Sequence, residues 1–223
     1  MRVTVIVCVR NGARFLARAL ESIVEQSRPV DEVLLVDGHS SDDTVNIARQ
    51  FQVQVITQPG TGIANAYNTG LAHASGDYIA FLSHDDLWVP TKTSRQLEVL
   101  SQHPNALYCV GQAAFFLESH TIPPEGVRQA WLERPHMAYI METLLARREA
   151  FERVGKFNGS LSTAEDVDWF ARARDQRVSA VALEEVLVRK RIHDANTSLV
   201  TPENSRNVLR ALRESVLRKR GQP

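Results

Sequence analysis

Val3-Thr4-Val5-Ile6-Val7-Cys8-Val9 is an unbroken β-favouring run with no polar face to turn toward water. As a strand it must be covered on both sides, which places it inside a parallel sheet flanked by helices. The chain that follows has the rhythm such a sheet needs. Over residues 14–26, Phe15, Leu16, Ala19, Leu20, Ile23 and Val24 recur at helical spacing, and Pro29 ends the segment. A second strand is predicted at 32–36, then a helix opening on the acidic turn Ser41-Asp42-Asp43-Thr44. A third strand at 53–56 leads through Pro59-Gly60-Thr61-Gly62 to a helix of small residues at 64–74, and then to the apolar run 78–82. This alternation predicts an α/β fold with a doubly wound, mostly parallel sheet and right-handed crossovers. A dinucleotide-binding dehydrogenase would share this plan, but Arg10-Asn11-Gly12-Ala13-Arg14 has one glycine where its Gly-x-Gly-x-x-Gly turn should stand. No Walker loop occurs anywhere in the chain.

The strand at 78–82 runs straight into Ser83-His84-Asp85-Asp86, and Pro90 then permits a new helix. Two carboxylates are thus delivered side by side at a strand's carboxyl end, the edge where open α/β sheets bind ligands. Adjacent hard oxygen donors suit Mg²⁺ or Mn²⁺ shared with a substrate's phosphates. Aspartates in this place also suit the capping of the next helix, and both readings stand at this point.

The second half is less regular. A strand with a polar interruption at Gly111-Gln112 is predicted over 106–117, and the proline-containing stretch 118–136 reads as an extended loop or lid. A short strand at 142–146 and a helix at 148–154 closed by Gly155 follow. Thr163-Ala164-Glu165-Asp166-Val167-Asp168 starts a helix with acids in its first turn, which compensation of the helix dipole explains without any chemistry. One or two strands over 178–190, a polar turn-rich stretch at 191–198 and a closing helix from about 202 to 220 complete the pattern.

Acidic and basic residues balance at 26 each, so no global field draws the protein to nucleic acid, and no such partner is expected. Cys8 and Cys109 each lie in an apolar run and read as buried free thiols. No apolar stretch approaches a membrane span, and a soluble, cytoplasmic chain is expected. Its organisation is predicted as one domain over 1–200, with halves 1–102 and 103–200, and a basic amphipathic helix at 201–223.

The order and spacing of several blocks resemble the family 2 glycosyltransferases, inverting enzymes of the GT-A fold. The blocks are Val3-Thr4-Val5-Ile6-Val7 with Asn11-Gly12, Val36-Asp37-Gly38, Gly62-Ile63-Ala64-Asn65-Ala66-Tyr67-Asn68, Gly76-Asp77-Tyr78 through Asp85-Asp86, Glu165-Asp166, and Arg191-Ile192-His193. The resemblance implies transfer of a sugar from a nucleotide-diphospho-sugar donor to a hydroxyl acceptor, in glycan or polysaccharide synthesis, with Mg²⁺ or Mn²⁺ on the diphosphate. It puts Asp37 on the nucleoside and Val7, Asn11, Gly62, Asn65 and Asn68 in the blocks around the donor. It makes Asp85 and Asp86 the Asp-x-Asp element, one touching the ribose or sugar and one the metal, with His193 closing over the diphosphate or ligating the metal. Asp166 takes the place of the catalytic base, with Glu165 beside it. His84 reads as a residue beside the metal or as a plain polar turn residue. Trp131 is the acceptor-site candidate, while Trp169 reads as core. The chain departs from the commonest pattern at Gly38, Tyr67 and Ser83, where relatives often carry an acid, an arginine or methionine, and an acid.

Two other readings share parts of this pattern: a sugar-phosphate nucleotidyltransferase and a nucleotide-sugar-binding module without chemistry. The closing helix combines Arg206, Arg210, Arg213, Arg218, Lys219 and Arg220 with Leu209, Leu212, Val216 and Leu217. It suits peripheral contact with an anionic membrane presenting a lipid-linked acceptor, but a mixed helix of this type ordinarily packs on the domain or in a homodimer with a solvated basic face.

Overall fold

In the computed structural model, which describes residues 1–118, 123, 127, 129–194, 196 and 203–221, β1 (Val3–Val9) is fully enclosed. It lies parallel between β2 (Glu32–Asp37) and β4 (Tyr78–Ser83), with β3 (Gln54–Thr57) parallel on the outside of β2. Its side chains divide as a period of two requires. Val3, Val5, Val7 and Val9 pack with residues of α1 (Leu16–Val24) and α4 (Lys92–Gln102). Ile6 and Cys8 face the opposite cluster, which contains Tyr67 of α3 (Ile63–His73), Phe151 of α6 (Arg148–Val154) and Trp169 of α7 (Glu165–Asp175). Both cysteines are buried and free.

From β1 the chain steps outward through β2, the short α2 (Thr44–Ala48) and β3, then crosses back to β4 on the other side of β1. That reversal leaves a crevice at the carboxyl ends of β1 and β4, where loops diverge and ligands of open α/β sheets bind. Beyond β4 the sheet is mixed. β8 (Leu145–Arg147) is antiparallel to β4 and to β6 (Tyr108–Leu117), and β9 (Ala180–Ile192) runs parallel to β6. β5 (Leu87–Trp88) and β7 (His136–Ala138) add antiparallel pairings on β9 and β6. The sheet is therefore parallel through the half that the alternation described and mixed through the rest.

Several boundaries differ from expectation for identifiable reasons. The strand expected at 142–146 is a 3-10 turn at Met141–Thr143 followed by β8. Its carbonyls bond side chains rather than a strand ladder: Glu142 O accepts from Trp88 Nε1 (3.2 Å), Thr143 O from Gln96 Nε2 (2.8 Å) and Leu144 O from Lys92 Nζ (3.1 Å). The polar interruption at Gly111-Gln112 is a register shift against β9, and a Cβ on Gly111 would meet Leu187 Cδ1 at 2.5 Å. Within the stretch read as a loop or lid, the described residues include α5 (Gln129–Glu133) and the start of β7; residues 119–122, 124–126 and 128 lie outside the described set, as do 195 and 197–202 of the turn-rich stretch and its approach to the last helix. That helix, α8 (Glu203–Arg220), packs on α7, with Ser215 Oγ donating to Asp175 at 2.8 Å and Arg218 Nε at 3.0 Å.

The start of β4 depends on one close approach. A Cβ on Gly76 would sit 2.7 Å from Thr4 N and 2.9 Å from Arg2 O, backbone atoms of β1 and its lead-in that cannot move aside. Gly76→Ala is expected to cost about 1–3 kcal/mol as an overpacking change. Gly159→Ala, with nothing within 4 Å, is expected to be near neutral. Urea denaturation midpoints of the two variants check the contrast.

Candidate active site

The turn after β4 is fastened from across the sheet. Asp86 is fully buried, and both of its carboxylate oxygens are occupied by the end of β9: Oδ2 by Lys190 Nζ at 2.7 Å and Oδ1 by the Arg191 N–H at 2.9 Å. Burial works against the Lys190 ammonium, yet the carboxylates of Asp86, Glu142 and Asp85 hold its proton well above the ordinary lysine range. The Arg191 side chain, also buried, donates Nε to the Asp85 carbonyl (2.8 Å) and lies over the rings of Phe15 and Phe116 at 4.6 and 4.7 Å. It pairs with Glu118.

This clamp brings His193 to Asp85. His193 Nε2 lies 3.0 Å from Asp85 Oδ2, and Asn196 holds the loop by accepting the His193 N–H at 2.7 Å. Burial alone would raise Asp85, but the His193 hydrogen bond and the charges of His84, Lys190 and His193 outweigh it and hold the carboxyl well below its usual range. Asp85 is thus ionised at any working pH. His84 packs against Gly12, where a Cβ would meet its Cδ2 at 2.6 Å, and burial lowers its proton affinity. The glycine of Asn11-Gly12 is therefore required by the approach of the β4 turn to the β1 turn.

A further carboxylate, one that the sequence pattern did not single out, joins this group. Glu142 projects from the turn before β8, with Oε1 accepting from Ser83 Oγ and standing 3.4 Å from Lys190 Nζ. Nothing local marks it, because its position depends on the side-chain clamp on its backbone from Trp88, Gln96 and Lys92. Asp166 and Glu165 enter from α7, whose N-cap Ala164 adopts the left-handed conformation (φ 62°). Burial, then the charge of Glu142, pushes Asp166 up to about 6. Burial, then Asp166, pushes Glu165 up to about 8. Glu142 and Lys190 act on both Asp86 and Asp166, so the acids of β4 and α7 share one electrostatic environment. Asp168 of the same first turn is different: it is buried in an ion pair with Arg172 at 2.9 Å and serves packing.

The loops after β1 and β2 form the adjoining side. Asp37 closes β2, nearly buried, and accepts from the Ser40 N–H at 3.2 Å. Asn11, at φ 53°, accepts from the Ser41 N–H through Oδ1 (2.8 Å) and donates its own N–H to Ser40 Oγ (2.8 Å). Gly62, at φ 86°, precedes α3 and offers its carbonyl to Gln58 Nε2 at 2.8 Å. Asn65 Oδ1 is buried with no hydrogen-bond partner among the described residues. Two of the expected donor contacts are engaged elsewhere. Val7 is sealed in the core between β2 and β4, and the Asn68 amide is taken at both ends by the Phe157 backbone, each bond 2.9 Å. Trp131, in α5, stacks on Phe115 at 5.8 Å, and Trp169 is core with no exposed surface. Among the described residues no group of three or more His, Cys, Asp or Glu side chains is arranged to enclose a metal. Of two cavities elsewhere, one of about 480 Å³ lies at the opposite, amino end of β6 and β9 and the other, of about 630 Å³, against α7 and α8.

Similar proteins identify the family and the fold. A sequence profile described as "Glycosyl transferase family 2" matches residues 4–161. An uncharacterised glycosyltransferase of Rickettsia typhi is 30% identical over 220 residues, covering 88% of this chain, and one of Rickettsia prowazekii is 29% identical over the same span. The chain spans 65% of the length of each of these two proteins. Among solved structures, S. aureus TarS in complex with UDP-GlcNAc superposes with a TM-score of 0.78 at 17% identity, covering 98% of this chain and 66% of that one. The mannosyltransferase PcManGT of Pyrobaculum calidifontis, with GDP-Man and Mn²⁺, gives 0.75 at 20% identity over 97% of this chain and 64% of its own. At such identities the likeness speaks for the fold, whereas the profile match covers most of the chain. This protein therefore belongs to glycosyltransferase family 2 and has the GT-A fold.

Proposed function

We propose that this protein transfers a sugar from a nucleoside-diphosphate sugar to an acceptor hydroxyl, with inversion at the anomeric carbon and with Mg²⁺ or Mn²⁺ on the diphosphate. The observation that carries the reading is the cluster at the sheet's carboxyl edge, where Asp86 and Glu142 lie 2.7 and 3.4 Å from the half-buried Lys190 ammonium and Asp85 and Asp166 are within its electrostatic reach. Family membership sets aside the nucleotidyltransferase alternative. Solved neighbours hold UDP-GlcNAc in TarS and GDP-Man with Mn²⁺ in PcManGT, which makes this donor class the natural one to test.

Asp85 and His193 fit a divalent metal: an ionised carboxylate and an imidazole converge within 3.0 Å, and diphosphate oxygens would complete the coordination. Such a metal supplies Lewis-acid stabilisation of the departing diphosphate. Asp86 takes a different role from the one expected of it. With both oxygens committed to β9, it positions Asp85 and is not itself a ligand. Asp37 and Asn11 hold the nucleoside side, with Gly62 and Asn65 lining it. Glu142 stands beside Ser83 and provides a carboxylate where that serine replaces the acid more usual in the family. Asp166 accepts the acceptor hydroxyl's proton as the new bond forms. Its raised proton affinity makes it a stronger base than an ordinary aspartate while leaving it mostly ionised at neutral pH. Glu165, higher still, stays protonated beside it and limits the like-charge repulsion.

Asp166→Asn is expected to lower turnover by about 10²–10⁴ without weakening binding of UDP or GDP, measured by calorimetry beside a donor-turnover assay. In the native enzyme, kcat/KM should rise with pH through about 6 as Asp166 loses its proton. Stability should move the other way. A folded-state pKa raised above the unfolded value means that the native state holds the proton more tightly, so stability falls as pH rises from about 4 through about 6. Asp166→Asn removes that penalty and should raise Tm at pH 7 even as it lowers turnover.

The two neighbouring aspartates should separate cleanly. Asp85→Asn is expected to weaken Mn²⁺ binding in the presence of nucleoside diphosphate and to lower Tm less than loss of Asp86 does, because the amide oxygen can keep the hydrogen bond to His193 while the charge that His84, His193 and Lys190 stabilise is lost. Asp86→Ala should cost about 1–3 kcal/mol, because the half-buried Lys190 ammonium and the Arg191 N–H both lose the carboxylate that satisfies them. Calorimetric Mn²⁺ titration and urea unfolding of both variants check the split.

A further inference from the structure

The last helix packs through its small residues and presents its large apolar ones outward. Ala211 and Ser215 of α8 are buried against α7, while Leu209, Leu212, Val216 and Leu217 are 68%, 42%, 48% and 55% exposed. At 100° per residue, Leu209, Leu212 and Val216 form one outward strip, with Lys219 on one flank and Arg206, Arg213 and Arg220 on the other. The exposed residues of α8 include only one acid, Glu203 at its start. Arg206, Arg213 and Arg220 make no ion pair among the described residues, although the chain as a whole is neutral. Leu212 also lines the cavity of about 630 Å³ whose other walls include Tyr139, Phe170, Arg174 and Arg177, so the apolar-and-basic character continues past the helix.

We propose that this face docks on an anionic lipid bilayer, with the Leu209-Leu212-Val216 strip entering the headgroup boundary and the arginines on lipid phosphates. No helix among the described residues is long and apolar enough to cross a membrane, so α8 would lie in the interface plane. Charge decides between this occupant and a second copy of the chain. A two-fold pairing would set the unpaired arginines of one copy against those of the other, whereas an anionic surface neutralises them. The docked helix also touches the catalytic half: Asn207 Nδ2 donates to Ser162 Oγ at 2.9 Å and Thr163 Oγ1 at 3.1 Å, in the loop leading to Asp166. Docking through α8 would hold the entry to α7 near the lipid surface. The proposal does not rest on the transfer reaction, since it is read by binding alone.

The test is co-sedimentation of the full chain with vesicles of phosphatidylcholine, with and without phosphatidylglycerol. Binding is expected only to the anionic vesicles and is expected to weaken with added salt. Replacing Arg206, Arg213 and Arg220 with glutamine should lower the partition coefficient by about a hundredfold, at roughly fivefold per arginine. Leu209→Ser with Val216→Ser should also release the protein, and circular dichroism checks that both variants keep the native fold. Failure of the native protein to sediment with anionic vesicles would overturn the proposal, as would equal sedimentation of all variants. So would a concentration-dependent dimer in lipid-free buffer that the Leu209→Ser, Val216→Ser variant abolishes, because it would identify a second copy as the occupant.

Discussion

The buried contact of Asp86 with Lys190 and the Arg191 N–H holds together what the rest of the site needs. It joins a turn at the end of β4 to the end of a strand more than a hundred residues later. An ion pair taken out of water gains little net stability over a hydrophobic substitute, but breaking one side is costly, so the contact acts as a specificity device. Its consequence is local geometry. With Asp86 fixed, Asp85 faces His193 and Glu142 reaches Lys190 at the carboxyl end of β4.

The same region is electrostatically unbalanced by design of the fold. Acids arrive from β4, from the turn before β8 and from the first turn of α7, and one lysine lies among them. Burial raises the proton affinity of Asp166 and Glu165 first, and the like charges held beside them raise it further. A group kept in a state that costs stability is a group available for chemistry. The supporting residues are ordinary by contrast. Trp88, Gln96 and Lys92 bond consecutive backbone carbonyls and so hold Glu142 in place.

Wherever burial imposes a period, the strands and helices of the first half were legible. β1, β2 and β4 are apolar because both their faces are covered, and α1 shows its stripe because one face is. The second half was less so. β5 is two residues long, β8 three, and both exist only because a distant strand lies alongside. The candidate carboxylates Asp37, Asp85 and Asp166 could be named from their blocks, yet Asp86 and Asn68 differ from expectation in what occupies them. A side chain's hydrogen-bond partners come from elements remote in the chain, and no local spacing encodes them.

By itself, then, the amino-acid order determined the alternation of strand and helix, the location of the acid-bearing turns at strand ends, and the family. Those features are local, because they follow from hydrophobic period, turn chemistry and short blocks. Only the tertiary structure decided that Asp86 is fastened to β9 while Asp85 faces His193, that Glu142 belongs with them, and that α8 turns its leucines outward. Each of these depends on contacts between segments far apart in sequence, where packing and desolvation choose partners that sequence proximity cannot.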